Sequence, residues 1–277
     1  MMKPFEYFRP TSLKEALALL NTYGEEATLL NGGTDLIVRM REGHSSPKAV
    51  IDIKHIEMLR KIKVTDSEIT IGACVLLNDV GSHPVIRERV PFLAQAALSV
   101  GSKQVRNRAT CIGNICNASP LADTATPLLA LDAEVEIYGE AGVKRIPLKD
   151  FFVFVRKTVL KQNEIVTSIS FNTNKDAKGI FEKMSRRKEV DLSTVCGTVF
   201  RGKDGYRVSM GAVAPTPIRL YKTEAYLDAH DLTEDVIQSA CEVAVNEVSP
   251  ISDIRASKAY RQELVHLILK HALSEWL

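Results

Sequence analysis

Apolar and polar positions in the first fifth of the chain predict a strand–turn–helix–strand unit. Residues 11–24 begin with Thr-Ser, carry apolar residues at helical spacing and end at a glycine, which predicts a capped surface helix. Residues 27–31 predict a short buried strand, and residues 35–43 predict a short helix with Asp35 at its start. Residues 49–53 predict a second strand.

The remaining pattern indicates an α+β protein rather than a regular alternation of strands and helices. It predicts strands at 68–75 and 164–171, helices at 91–101 and 126–133, a loop at 103–123, and a hairpin of 134–139 with 143–148. An antiparallel pair flanks the turn at 203–205, and helices follow at 233–248 and 255–277. The polar, turn-rich segment 172–179 predicts a boundary between domains at 1–175 (subdomains about 1–55 and 56–175) and 176–277.

Composition narrows the classes of function. The chain has 277 residues, 45% of them hydrophobic, and a formal net charge of +2, so nothing in its overall charge indicates a nucleic-acid or membrane partner. No apolar stretch approaches the roughly 20 residues of a membrane span. The segment MMKPFEYFRP lacks the apolar centre of a secretory signal, so we expect a cytoplasmic protein.

The cysteines and histidines indicate no metal site. The five cysteines include no CxxC pair, which argues against a disulfide framework, a zinc site or an iron–sulfur cluster held by this chain alone. Cys111 and Cys116 are five apart and allow either a metal pair or two small residues packed in a loop; the second interpretation is favoured. We also find no acid–base pair or nucleophile, and so predict no catalytic residue.

A glycine pair lies between the predicted strand at 27–31 and the helix at 35–43. The segment Asn31-Gly32-Gly33-Thr34-Asp35 allows a sharp turn with no Cβ in the way, so that backbone amides at a helix start are free to face an anion. Such a turn suits a phosphate group. A plain tight turn explains the same residues equally well.

A second stretch shifts the balance towards a ligand. Residues 110–133 contain Gly113, followed by Asn114, Asn117, Ser119 and Asp123 among apolar residues. Burying so many hydrogen-bonding side chains is costly unless a ligand or partner satisfies them. A ligand whose pyrophosphate binds one glycine loop and whose sugar alcohol binds the other would satisfy that requirement. Neither segment is a GxGxxG fingerprint or a P-loop.

Together, NGGTDLIVRMREG and RNRATCIGNICNASPLADTATPLLALDA resemble the FAD-binding medium subunit of the xanthine dehydrogenase/carbon monoxide dehydrogenase family of molybdenum hydroxylases. The segments FFVFVRKTVLKQNEIVTSISF, FEKMSRRKEVDLSTVCGTVF, GAVAPTPIR and DIRASKAYR extend the resemblance in order over nearly the whole chain. It implies a vanillyl-alcohol-oxidase/MurB-like FAD-binding fold in two subdomains. A C-terminal α+β domain of the carbon monoxide dehydrogenase type, with an antiparallel sheet and helices, follows it.

The resemblance also implies a set of FAD-binding residues. Gly32, Gly33, Thr34 and Asp35 match the first pyrophosphate loop, and Asn31 starts it where many relatives have alanine. Thr110, Gly113 and Asn114 match the second loop. Ser119 and Asp123 match residues that contact the ribityl and phosphate region of FAD. Leu192 matches a residue whose backbone lies near the isoalloxazine. The family usually has Thr-Ile-Gly-Gly-Asn in the second loop, whereas Ile112 replaces its first glycine here, so a side chain could crowd the pyrophosphate.

The implied function is electron transfer. In the family, a large molybdopterin-binding subunit hydroxylates the substrate, and [2Fe–2S] clusters of a small subunit pass electrons to FAD and then to NAD+ or another acceptor. The branch that this chain resembles includes bacterial three-subunit xanthine or purine dehydrogenases. The alternatives are a free-standing FAD-dependent oxidase or reductase of the same fold, and a flavin-free scaffold motivated only by Ile112. The intact Asn114, Ser119 and Asp123 argue against the scaffold.

Overall fold

The N-terminal region forms a small parallel sheet flanked by helices. The computed structural model describes residues 2–173 and 178–277. The first elements are β1 (Glu6–Phe8), α1 (Leu13–Tyr23), β2 (Ala27–Leu30), α2 (Leu36–Arg41) and β3 (Ala49–Asp52), and the strands pair in the order β1-β3-β2. In a parallel sheet the carboxyl ends of neighbouring strands lie at one edge, so the loop after β2 starts beside the end of β3.

The second subdomain combines an antiparallel sheet with short helices. Its elements are β4 (Ile62–Val64), β5 (Glu68–Gly72), α3 (Leu77–Ser82), α4 (Pro84–Arg89), α5 (Pro91–Ser99), α6 (Lys103–Arg106), α7 (Cys111–Cys116), α8 (Ala125–Ala130), β6 (Glu134–Gly139), β7 (Gly142–Pro147), β8 (Phe152–Phe154), β9 (Lys157–Thr158) and β10 (Ile165–Asn172). The five-stranded sheet has the order β4-β5-β10-β6-β7, and β8 pairs with β9. The predicted hairpin is therefore confirmed as β6 and β7.

The C-terminal region is an antiparallel sheet covered by helices. It contains β11 (Lys178–Met184), β12 (Val195–Gly202), β13 (Gly205–Gly211), β14 (Ile218–Arg219), α9 (Tyr221–Asp228), α10 (Glu234–Glu247) and α11 (Lys258–Ser274), with the sheet order β11-β12-β13-β14. This arrangement confirms the predicted sheet-plus-helix organisation. The predicted boundary between 175 and 176 lies outside the described residues and stays a prediction.

Two hydrophobic cores stabilise the chain. The larger core joins both N-terminal subdomains and also receives Phe181, Cys196 and Phe200 from β11 and β12. The second core lies between the C-terminal sheet and α9, α10 and α11. The C-terminal sheet therefore contributes to both cores, which fixes it against the N-terminal part.

Side-chain caps mark the starts of α1, α6 and α7, and the last two of these helices lie inside a segment predicted to be a loop. The Ser12 hydroxyl accepts from the Glu15 amide, and α1 ends at Gly24 with a φ of 53°, as the sequence predicts. The prediction of a continuous loop at 103–123 is wrong, because α6 and α7 form within it. Ser102 and Thr110 cap these helices through bonds from the amides three residues later. Helix α6 has only four residues, and α7 contains a glycine and an asparagine, so neither shows a clear helical pattern.

The strand predicted to be buried at 27–31 is only partly buried. In β2, Ala27 is buried while Thr28, Leu29 and Leu30 are half-buried. The physical reason is that Thr28 and Leu29 border an open cavity rather than packed protein. In the described ranges 2–173 and 178–277, no helix combines the length and apolar character needed to cross a membrane.

Candidate functional site

The two glycine-containing loops meet at one cavity of about 520 Å³ between the N-terminal subdomains. This volume lies within the range of roughly 300–1,000 Å³ that is typical of ligand and cofactor sites. Predicted site residues on its wall are Asn31, Gly32, Gly33, Thr34, Asp35, Thr110, Gly113 and Asn114. Apolar side chains complete the lining, among them Leu29, Ile53, Leu77, Val100, Val105 and Val166. The fold thus brings together loops that lie 75 or more residues apart in the sequence.

Gly32 allows backbone-to-backbone contact between the loops. A Cβ built on Gly32 would lie far inside van der Waals contact of the Arg108 carbonyl oxygen and 2.9 Å from the Ala109 Cα. Both neighbours are backbone atoms, so no side chain is available to move aside. The first loop approaches the second this closely because position 32 has no side chain.

Gly33 turns the first loop towards the start of α2. Its φ of 77° lies in the left-handed region, which disfavours any residue with a Cβ. Among the hydrogen bonds of the described residues, none is donated by the amides of Thr34, Asp35 or Leu36. Asp35 precedes α2 without capping it through its side chain. The loop therefore presents free N–H groups beside a cavity, which is an arrangement suited to an anionic oxygen.

The second loop is held by side-chain hydrogen bonds. The Thr110 hydroxyl accepts from the Gly113 amide at 3.0 Å, and the Thr124 hydroxyl donates to Asn114 Oδ1 at 2.6 Å. Asn117 Nδ2 donates to Asp35 Oδ1 at 3.1 Å, which links the two loops directly. The cavity wall is therefore a connected pair of loops rather than two independent turns.

The side chain of Ile112 is packed by protein. It is 2% exposed and belongs to the larger hydrophobic core, although the residue also borders the cavity. The fold therefore directs most of this side chain away from open space. The neighbouring Cys111 is fully buried in the same core, and burial raises the pKa of its thiol to about 12.

Asp123 lies outside the cavity lining, in a buried cluster between the N-terminal subdomains and β11. Its carboxylate pairs with Lys183 Nζ at 2.6 Å and accepts a hydrogen bond from the Ser193 hydroxyl. Lys183 also donates to the Ser99 carbonyl at 3.0 Å. Burial raises the pKa of Asp123, and the Lys183 ammonium counteracts that shift. The predicted contact between Asp123 and FAD stays a prediction.

Ser119 and Leu192 also lie outside the lining of the cavity. The Ser119 hydroxyl accepts from the Leu121 amide at 3.2 Å. Leu192 is 52% exposed, and its amide donates to its neighbour Asp191. Their assignment to FAD continues to depend on the resemblance alone.

The cavity includes polar residues that were not predicted. Arg39 lies one helical turn after Asp35 on α2, a spacing that could have identified it. Glu164 also lines the cavity. Burial raises the pKa of Glu164, but hydrogen bonds from Lys144 and from the Lys161 amide outweigh burial and hold that pKa below its ordinary value. No sequence signal near Glu164 connects it to the glycine loops, because only the folded chain places the start of β10 beside them.

Comparisons with protein families identify two domains in this chain. Residues 3–171 match the model described as "FAD binding domain in molybdopterin dehydrogenase", and residues 180–276 match "CO dehydrogenase flavoprotein C-terminal domain". The carbon monoxide dehydrogenase medium chain of Hydrogenophaga pseudoflava is 33% identical over 98% of this chain and 96% of its own length. The nicotinate dehydrogenase FAD-subunit of Eubacterium barkeri is 31% identical over 97% and 95%.

A solved structure agrees over the whole fold. Carbon monoxide dehydrogenase from Hydrogenophaga pseudoflava, in a form that lacks the Mo-pyranopterin moiety of the molybdenum cofactor, aligns with a TM-score of 0.95. The sequence identity is 32%, and the alignment covers 99% of this chain and 97% of the solved chain. The order of both domains is therefore shared along the full length.

Proposed function

Because the chain belongs to the family of FAD-binding medium subunits of carbon monoxide and xanthine dehydrogenases, we propose that it transfers electrons within a molybdenum hydroxylase complex. Electrons enter from [2Fe–2S] clusters of a small partner subunit and leave to NAD+ or another acceptor. Substrate hydroxylation takes place on a large molybdopterin-binding subunit. The observation that carries the proposal is the meeting of two glycine loops, with free amides, at one cofactor-sized cavity.

The residues of the cavity fit FAD. Gly32 lets the first loop approach the backbone of the second loop, and the amides of Thr34, Asp35 and Leu36 offer donors for a diphosphate. Thr110, Gly113 and Asn114 supply the facing loop. When bound, FAD would supply the redox chemistry. The protein binds, orients and partly shields the cofactor.

The names of the relatives support the presence of partner subunits. A "medium chain" and an "FAD-subunit" are components of larger dehydrogenases, and the solved relative is described by its molybdenum cofactor. This chain matches those components over nearly their whole length. The relatives are named for different substrates, including carbon monoxide and nicotinate, and xanthine is named for a similar subunit from Escherichia coli O157:H7.

The test is native purification of the chain with its companions, followed by anaerobic spectroscopy. We expect visible flavin absorbance together with iron–sulfur absorbance from a smaller chain. Carbon monoxide, xanthine and nicotinate are then added one at a time, and we expect one of them to reduce the flavin and bleach its absorbance. Addition of NAD+ or another acceptor should restore the flavin absorbance. Flavin without any companion would instead favour a free-standing oxidase or reductase, and a colourless chain that takes up no FAD would reject both.

A further inference from the structure

A mostly buried ion pair lies beneath the first glycine loop. Lys54 Nζ is 2.7 Å from Asp52 Oδ1 and donates a hydrogen bond of 3.1 Å to the backbone carbonyl of Asn31. The Asp52 side chain is 3% exposed and that of Lys54 is 25% exposed. One ammonium group thus connects the end of β3 to the residue from which the loop departs.

The carboxylate of Asp52 is itself fixed in orientation. It accepts from the Lys54 amide at 3.0 Å and from the Tyr7 hydroxyl of β1. Asp52 is in register with Leu30, the last residue of β2, so it lies directly beside the start of the loop. Burial opposes ionisation, but Lys54 and Tyr7 outweigh it and hold the pKa of Asp52 below its ordinary value. Asp52 is therefore a carboxylate at neutral pH.

The same residue of the loop is also tied to the second subdomain. Asn31 Nδ2 donates to the carbonyl of Ala73, which directly follows β5. Neither Asp52 nor Lys54 is among the described residues that line the cavity, and the hydrogen bond to Asn31 connects Lys54 to a residue that does line it. A loop whose first residue is held on both sides keeps its amides oriented without a ligand.

We infer that Asp52 and Lys54 are positioning residues: they fix the Asn31 carbonyl and so hold the first glycine loop ready for FAD. Binding to a preformed loop avoids the loss of conformational freedom that ordering a loose loop entails, and this raises affinity. The inference rests on the proposed function only in taking FAD as the ligand. Tyr7 supports the pair from the outer side of the sheet.

The decisive variant is Asp52→Asn in the full-length apo-protein, with the dissociation constant of FAD measured by quenching of flavin fluorescence. If charge alone mattered, removing a negative charge would tighten the binding of an anionic diphosphate. If Asp52 acts by holding Lys54, the same change releases the loop. We expect an FAD dissociation constant about tenfold higher, in line with the loss of a hydrogen bond to a charged group.

Matched lysine variants complete the test. Lys54→Met should weaken FAD binding to a similar extent, and Lys54→Arg should restore it substantially, because an arginine can still bridge a carboxylate and a carbonyl. Lys48→Met, at the opposite end of the same strand, removes an equal charge from an exposed side chain and should change nothing. If Asp52→Asn does not fold, the comparison of Lys54→Met with Lys54→Arg decides.

Two results would overturn the inference: unchanged or tighter FAD binding by Asp52→Asn, or no recovery by Lys54→Arg relative to Lys54→Met. Thermal unfolding of each apo-protein shows whether the variant is folded at the temperature of the titration, and breaking this mostly buried pair should itself lower the melting temperature. Among folded variants, a positioning role predicts that FAD affinity falls in Asp52→Asn and Lys54→Met and recovers in Lys54→Arg. If the wild-type chain itself bound no FAD, the proposed function would fail. Equal binding by wild type and Asp52→Asn would refute only the positioning role.

Discussion

Gly32→Ala is the substitution with the most direct structural consequence for the site. The new Cβ would lie 2.9 Å from the Ala109 Cα and closer still to the Arg108 carbonyl oxygen. Carbon atoms pack at about 3.5 Å or more, so the loops must separate by roughly 0.6 Å or more. Overpacking of this kind costs about 1–3 kcal/mol. The apo-protein can relax the contact by moving the loop, but FAD must pull both loops back together.

The cost should therefore appear mainly in FAD affinity. A loss of about 1–3 kcal/mol corresponds to a dissociation constant roughly 5- to 140-fold higher, since about 1.4 kcal/mol is a factor of ten. The assay is fluorescence titration of the apo-protein with FAD, and thermal unfolding of the same samples reports on the fold. Gly43→Ala is the control for the added methyl group, because a Cβ there meets nothing within 4 Å; its φ of 81° strains the backbone, so its cost should appear in thermal unfolding and not in FAD affinity.

Two results would refute this reasoning. The first is a folded Gly32→Ala protein whose FAD dissociation constant stays within twofold of wild type, because the loops then need not touch for FAD to bind. The second is an equal loss of affinity in Gly43→Ala, because a general effect of the substitution, rather than the contact at Gly32, would then explain the result.

Three further predictions concern single residues. Gly33→Val, at a φ of 77°, should empty the flavin site of a folded chain, and full flavin occupancy after purification would contradict the two-loop clamp. Asp123→Ala leaves Lys183 buried without its partner and should lower the unfolding free energy by about 3–5 kcal/mol in urea; it should also weaken FAD binding by about 1–3 kcal/mol. Unchanged stability and affinity would argue against both roles. The pKa of Asp253 is lowered from 3.8 to about 2: burial raises it, but hydrogen bonds from the Arg255 amide and the Arg261 side chain outweigh burial. The wild-type protein should therefore be more stable than Asp253→Asn above pH 4, and this difference should vanish towards pH 2. Unfolding curves measured across that pH range would reveal a pH-independent difference if this is wrong.

Much of the local structure could be predicted from the sequence, because periodicity and caps are local properties. The helix α1, the β6–β7 hairpin, and the helices α10 and α11 form where the pattern predicts them. The short helices α6 and α7 were missed, because a single turn capped by Ser102 or Thr110 resembles a polar loop in composition. Helices of this length depend on tertiary packing, which no local pattern reveals.

The sequence alone determined the family, the FAD-binding domain and the two glycine loops, since these depend on residue types at fixed spacing along the chain. Only the tertiary structure decided which residues share a cavity. It joined Gly32 to the backbone of Arg108, gave Asp123 a buried partner in Lys183, and placed Lys54 beneath Asn31. These contacts join residues far apart in sequence or across a sheet edge. They arise because sheet register and core packing fix distances in space that spacing along the chain does not specify.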